Sequence, residues 1–455
     1  PKTNVGQTLS TIRGMVNVKL TASELADRPV SEYKISNDAT ENAIAKTLTL
    51  LVSSAYSSNK ELLPLVMLKG LKQTIANGVT ERSPPFIAMQ AVIVGYFMGD
   101  FESAQKFAET ALQLLKLRDC RSCESKTMLL AYGTVLHWSR PFKDLLEPFM
   151  QAYQIGMSTG DTDAATWGVA MYLHLMLEIG QPLEILDAEM STYSKVVKDF
   201  RQNRPLQQIY LCWQAVKNLY GTSNATIRLV GDAFDERSIS ATDSTQQSGS
   251  ESGKTTKNPT TSTKQQSTSE TTSPETIMAI RTMLATYFGD FESGADIAVK
   301  DYAYAMKVGS GLPSVVIGTF YCAICCFAAS SPSKQKQQKY RNTARTCRTN
   351  LKKWVKAGNP NCVHALAIVN AEQEASQRKY ESAIAFYRDA IEECRRRDFV
   401  NIEAFATERL SMCLFQMGNH AGGTRCYNES IRLYKQWGAL KKVELMEKKR
   451  GSTMM

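Results

Sequence analysis

Histidine is scarce in this chain, with 4 in 455 residues. His137, His174, His364 and His420 stand far apart, and none has a Ser, a Cys or paired carboxylates beside it in a catalytic arrangement. Strand-like alternation of useful length is missing, which leaves an all-α chain. Acidic residues are missing from Ser333 to Ala371, a stretch that carries nine Lys or Arg. Long hydrophobic runs are missing too. No residue is charged between Lys307 and Lys334, yet the apolar part, Val315 to Ala329, falls short of the about 20 residues that a span requires. With Gly309, Gly311 and Pro313 before it, that stretch reads as a buried helix and no membrane span is expected. Disulfide rhythm is absent as well. The 11 cysteines are scattered, and Cys322, Cys325 and Cys326 sit among apolar residues, where a reduced thiol packs as a small hydrophobe. With no signal peptide at the start, a reducing compartment is expected, the cytoplasm with the nucleus as the alternative.

What is present is organised by repeats. The chain opens on Pro1, not Met, and is expected to be a piece of a longer chain or a processed or incomplete gene product. From Ser238 to Ser273, 24 of 36 residues are Ser, Thr or Gln, and Ile239 is the sole large aliphatic residue. Such a stretch cannot offset its ordering entropy by burial, so a disordered insertion is expected. The organisation is therefore residues 1–40 as a connector, 41–235 as an N-terminal helical array, 236–273 as the insertion and 274–450 as a C-terminal array.

Gly99-Asp100-Phe101-Glu102-Ser103 recurs as Gly289-Asp290-Phe291-Glu292-Ser293, each time after an aromatic-rich apolar helix. A looser copy reads Lys379-Tyr380-Glu381-Ser382-Ala383, and a degenerate one Gly418-Asn419-His420. Phe101, Ala104, Ala108, Ala111 and Leu115 share their spacing with Tyr380, Ala383, Tyr387, Ala390 and Cys394. Alternating steps of three and four place each set on one helix face, where small residues let two helices approach closely. The Gly ends the preceding helix in a left-handed turn and the Asp caps the next one. Further helices are expected over Pro141–Ser158, Asp161–Ile179, Pro182–Phe200 and Pro205–Tyr220.

These residues resemble the second half of a tetratricopeptide repeat, which Tyr380, Ala383, Tyr387 and Ala390 fit best. The fold class that follows is an all-α, tetratricopeptide-like α-solenoid of antiparallel helix hairpins. A longer resemblance runs over about 40–235 and 275–445. It is carried by Gly95 to Leu115, His137-Trp138 through Glu147-Pro148 to Gly160-Asp161, and Gln208-Ile209-Tyr210 with Trp213 to Val216. Further on it is carried by Leu351 to Trp354, Ala371-Glu372, and Tyr434 through Trp437-Gly438-Ala439. Over these stretches the chain resembles the helical-repeat region of large multi-domain signalling proteins. In those, a protein-kinase-like domain and an AAA-type ATPase precede the repeats, and a sensor domain with a histidine kinase or another output domain follows. The resemblance implies a non-catalytic scaffold that binds protein, either other domains of its own chain or a separate partner peptide. It transfers no catalytic residue. A free-standing adaptor is the alternative, and a nucleic-acid-binding repeat protein ranks below both.

Other motifs carry less. Gly249 to Thr255 imitates a P-loop, but only three residues separate its glycines and no strand precedes it. Cys120-Arg121-Ser122-Cys123 and Cys322-Ala323-Ile324-Cys325 lack the further ligands of a zinc site and the βαβ context of a redox pair. No cofactor, metal or small-molecule substrate is expected. The basic stretch offers Lys336, Lys339, Arg341, Arg345, Arg348 and Lys352 as a possible interaction face. Its aromatic neighbours are Tyr340 and Trp354 alone, and the resemblance makes Trp354 a core residue.

Overall fold

The structure is a computed structural model that describes residues 29–58, 62–117, 120–223, 225–237, 273–309 and 311–453. The P-loop-like segment, nearly all of the low-complexity stretch and residues 1–28 of the expected connector lie outside these. Among the described residues there are eighteen α-helices, and the sole β contacts are the isolated bridges Ile35–Val79 and Val230–Asp235.

The first helices are α1 (Ala39–Ser58), α2 (Leu63–Asn77), α3 (Pro84–Met98), α4 (Phe101–Leu117) and α5 (Arg121–Leu130). They are followed by α6 (Leu146–Thr159), α7 (Thr162–Glu178), α8 (Leu183–Asp199) and α9 (Asn203–Tyr220). After the low-complexity stretch come α10 (Pro274–Phe288), α11 (Phe291–Gly309), α12 (Pro313–Ala328), α13 (Lys334–Lys356) and α14 (Val363–Ser376). The series ends with α15 (Tyr380–Arg396), α16 (Val400–Gln416), α17 (His420–Trp437) and α18 (Leu440–Thr453). Sequential helices pair antiparallel, as in α3 with α4, α10 with α11, α14 with α15 and α16 with α17.

The chain divides into two compact units. One is Pro1–Tyr172 with Ser310–Pro313 and Trp354–Asn361, and the other is Leu173–Gly309 with Ser314–Lys353 and Cys362–Met455. In the first unit, Phe86, Ile93, Ala104, Phe107, Ala111 and Leu114 belong to one apolar cluster. Ala104 and Ala108 are fully buried as their spacing predicts, but Leu114 and not Leu115 completes the buried face. In the second unit the Tyr287 ring is fully buried, with its centroid 4.9 Å from that of Trp437 and 6.0 Å from that of Tyr321. Helix α9 packs on both α10 and α18, so helices from both sides of the low-complexity stretch share this unit.

One turn recurs through the chain. Gly358, Arg378, Asp398, Gly418 and Gly438 all have positive φ, and each follows the last by 20 residues (378 − 358 = 20, and so on). At each of these turns the amide of the next residue donates back to a carbonyl five residues earlier. Examples are Lys379 to Glu374 at 3.0 Å, Phe399 to Cys394 at 3.0 Å and Asn419 to Leu414 at 2.9 Å. This is the bond that closes a helix end on a left-handed residue. Asp290 does the same to Ala285 at 3.0 Å, beside Gly289 at φ 75°. A helix of about 17 residues and a three-residue turn therefore repeat as a unit, 40 residues per hairpin, against about 34 in a tetratricopeptide repeat.

Small residues set the helix spacing. A Cβ on Gly294 of α11 would lie 2.4 Å from Cys325 Sγ and 2.8 Å from Ala285 Cβ, so these helices meet at a point that excludes any side chain. The uncharged stretch forms α12, whose Val315, Phe320, Tyr321, Cys322 and Ile324 are all buried. Among the described residues no helix is long and apolar enough to cross a membrane.

Candidate functional site

The repeat-motif residues build the turns. Gly99, Gly289 and Gly418 are left-handed, at φ 69°, 75° and 75°. Asp100 Oδ1 accepts from the Ser103 amide at 3.1 Å, Asp290 Oδ1 from Ser293 at 3.2 Å, and Asn419 Oδ1 from Gly422 at 2.9 Å. Each satisfies an amide of the first helical turn. In the third copy Arg378 takes the left-handed position at φ 61°, and Lys379 supplies no side-chain cap. The aromatic residue of the motif is half-buried in each full copy. Phe101 lies 4.6 Å from Trp138, which also meets Trp354 edge-on at 5.4 Å, and Phe291 lies 5.0 Å beneath the Arg409 guanidinium. Tyr380 opens α15 half-buried, while Ala383, Tyr387 and Ala390 are fully buried. These residues are spent on packing.

The basic face lies on α13. Its buried side is Tyr340, Ala344, Cys347 and Leu351, all fully buried. Lys339, Arg341, Arg345 and Lys352 are exposed, as are Lys334 and Lys353. Lys336 is turned toward α11 instead, 2.9 Å from both Glu292 and Asp296. Arg348 donates through Nε to Asn370 Oδ1 at 2.7 Å. The structure thus brings most of the named cations to the surface and withdraws Lys336 into an ion pair.

The second unit holds a buried polar set that no motif of the sequence joins. Glu372 of α14 is 1% exposed and accepts from Arg409 of α16 through both oxygens, at 2.6 and 2.9 Å, and from Tyr387 Oη at 2.6 Å. Burial opposes the Arg409 charge, but Glu372 and Tyr387 outweigh it and hold its pKa well above the usual value. Beside it, Glu408 accepts from Lys442 at 2.7 Å and from Tyr434 Oη at 2.8 Å. Burial pulls the Lys442 ammonium down, and Glu408 opposes that shift. Each of these buried carboxylates thus meets both a cation and a hydroxyl, the pairing that offsets the cost of burying a charge. The resemblance singles out Glu372 itself, but nothing in its surroundings names a partner 37 residues away.

Three buried asparagines act as clamps. Asn361 Oδ1 accepts from the Phe142 amide at 2.9 Å, and its Nδ2 donates to the carbonyls of His137 and Arg140 at 2.8 and 2.9 Å. Asn401 Nδ2 donates to the Glu178 carbonyl at 3.0 Å. Asn218 Nδ2 donates to the carbonyls of Thr226 and Arg228 at 3.1 and 3.0 Å, and Gln214 Oε1 accepts from the Ala233 and Phe234 amides, both at 3.2 Å. These two side chains tie residues 226–234 onto α9. That turn borders a cavity of about 510 Å³ with Lys217, Arg228, Asp232 and Arg237 on its wall. Lys217 is engaged with Asp187 at 3.7 Å and Arg237 with Asp235 at 2.6 Å.

His137 is fully buried and burial pushes it down to about 3, and His364 falls to about 3 through burial and then Arg397. Ten of the eleven free cysteines are buried. Burial raises Cys325 and Cys347 to about 12, which leaves little thiolate at neutral pH. Cys123 is raised well above the ordinary thiol value, first by its hydrogen bond with Cys120 and then by burial, and its Sγ donates to the Glu81 carbonyl at 3.2 Å. Among the described residues no group of three or more His, Cys, Asp or Glu has the geometry to hold a metal ion.

No family model matches the chain. Among curated proteins it is similar to hybrid signal transduction histidine kinase G of Dictyostelium discoideum, with 24% identity over 173 residues. The match takes in 37% of this chain and 5% of that protein.

Proposed function

We propose that this chain is a non-catalytic protein-interaction and regulatory scaffold, the helical-repeat segment of a multi-domain signalling protein with kinase and ATPase parts. The observation that carries the reading is the even, 20-residue succession of helix-ending turns from Gly358 to Gly438. Such a succession suits repeats that each bury a face on their neighbours and leave a long outer surface for partners. Within the second unit the hairpins are read as a tetratricopeptide-like solenoid. Contacts between α11 and α13 run in the same direction along both helices, Lys336 to Glu292 and then Asn350 to Tyr302, and stacked hairpins place equivalent helices side by side in that way. The partial similarity to a hybrid histidine kinase supports the signalling context. Buried, free thiols support a reducing compartment.

The test is made in the longer parent protein. Replacing residues 41–450 by a flexible linker should uncouple its output from its input while leaving each catalytic domain active on its own. Unchanged regulation would refute the scaffold.

A further inference from the structure

Helix α13 carries two rows of identical spacing. Tyr340, Ala344, Cys347 and Leu351 form the buried row, and Arg341, Arg345, Arg348 and Lys352 repeat it one residue later. One residue turns the helix by about 100°, so the second row runs along the flank, clear of the core. Its length from Arg341 to Lys352 is about 16 Å at the rise of an α-helix. Arg341, Arg345 and Lys352 are exposed, and among the described residues none of the three has a carboxylate within ion-pair reach. On the flank that faces α11, by contrast, Lys336 is neutralised by Glu292 and Asp296. Four cations in a line, about 5–6 Å apart along the helix surface, repel one another until something anionic lies over them.

We infer that this row docks an acidic helix of a protein partner, one whose carboxylates recur at the same steps of four, three and four. The inference rests on the scaffold reading and names the surface that reading would use. Three features select an acidic helix. The row is a single straight line about 16 Å long, on the side toward Asn370 of α14 and away from Glu292 and Asp296 of α11, a shape that a second helix laid along it matches and the paired phosphate strands of a nucleic acid duplex do not. The aromatic rings at hand, Tyr340 and Trp354, are buried and offer no stacking platform to single-stranded bases. An anionic bilayer is recognised by a basic helix that also inserts an apolar side, and the apolar side of α13 is committed to the core. A helix of matching pitch brings one carboxylate to each cation.

The experiment uses the full 455-residue chain and a fluorescently labelled 20-residue helical peptide with Glu at those four spaced positions, read by anisotropy at 50 and 300 mM salt. The peptide should bind, weaken as salt rises, and exceed both its Gln counterpart and a dT20 oligonucleotide. The triple variant R341E/R345E/K352E should bind it about 30-fold more weakly, since each exposed pair contributes a modest share. The triple variant R341K/R345K/K352R keeps the charge and should bind within about twofold of the parent chain. All substitutions are exposed, and circular dichroism of each variant checks that the helices remain. Equal binding of the Glu and Gln peptides, or no loss in the charge-reversed variant, overturns the inference. So does tighter binding of dT20 that the reversal abolishes. Failure here is separable from failure of the scaffold. If the reversal leaves the parent protein's regulation intact while loss of 41–450 destroys it, the scaffold stands and the α13 row is not its contact.

Discussion

Removing Arg409 should show how much of the second unit depends on one ion pair. In Arg409→Met the Glu372 carboxylate, 1% exposed, would keep only the Tyr387 hydroxyl. Breaking a buried pair by deleting one member costs about 3–5 kcal/mol, and the low end applies because Arg409 is itself 21% exposed and water reaches it. A loss of about 3 kcal/mol lowers the midpoint of a unit this size by about 6–12 °C. Glu372→Gln keeps an acceptor for Tyr387 and leaves the guanidinium some access to water, so it should cost less, about 1–2 kcal/mol. The double variant leaves no uncompensated charge and should be more stable than Arg409→Met alone. A coupling of about 1–3 kcal/mol is expected between two groups in such contact. Thermal melts of the chain and the three variants by circular dichroism supply the cycle. Losses that simply add, to within about 0.5 kcal/mol, would refute the argument that the charges exist to satisfy one another.

Two further outcomes follow from buried polar groups. His137 and His364 sit near 3 in the fold against 6.5 in the open chain, so the unfolded state takes up their protons first. Stability is full above the unfolded value and falls as pH drops toward the folded one, by about 2 kcal/mol per histidine between pH 7.5 and 5. Urea titrations at the two pH values measure the loss, and His137→Leu should roughly halve it; an unchanged pH dependence would show that His137 is not held neutral. Asn361→Ala strips partners from the Phe142 amide and the His137 and Arg140 carbonyls, and should cost the first unit about 2–4 kcal/mol. A cost below about 0.5 kcal/mol would mean that water replaces the side chain.

Helix content was legible because burial writes a period into the sequence. Ala104, Ala108 and Ala111 face the core as their steps of three and four require, and so do Ala383, Tyr387 and Ala390. The turns were half legible. Glycine advertises a left-handed residue at 99, 289 and 418, but Arg378 and Asp398 adopt the same conformation with no compositional sign, so the 20-residue beat emerges only from the backbone. Left-handed geometry costs such residues about 1–2 kcal/mol, which the bonds closing the turn can offset. The interaction face was legible as a run of charge and not as a row. Lys336 lies in the same run as Arg341, yet its position on the helix carries it to α11 and out of the exposed set. The clamps were not legible at all. Asn361 and Asn401 each close on segments more than 200 residues away in the chain, and a lone asparagine beside a turn carries no hint of such reach.

The clamping of residues 226–234 onto α9 has a consequence for how the gene can change. Gln214 and Asn218 fasten the chain before the low-complexity stretch begins, and it re-enters at Ser273 to start α10, which packs on α9 itself. Exit and return are thus fixed by contacts that do not involve the stretch. In general, doubling the length of a flexible segment between two fixed points costs only about 0.6 kcal/mol. A one-residue insertion inside α9 would throw both clamps out of register, whereas a change of length between 238 and 272 leaves Gln214 and Asn218 their partners in 226–234.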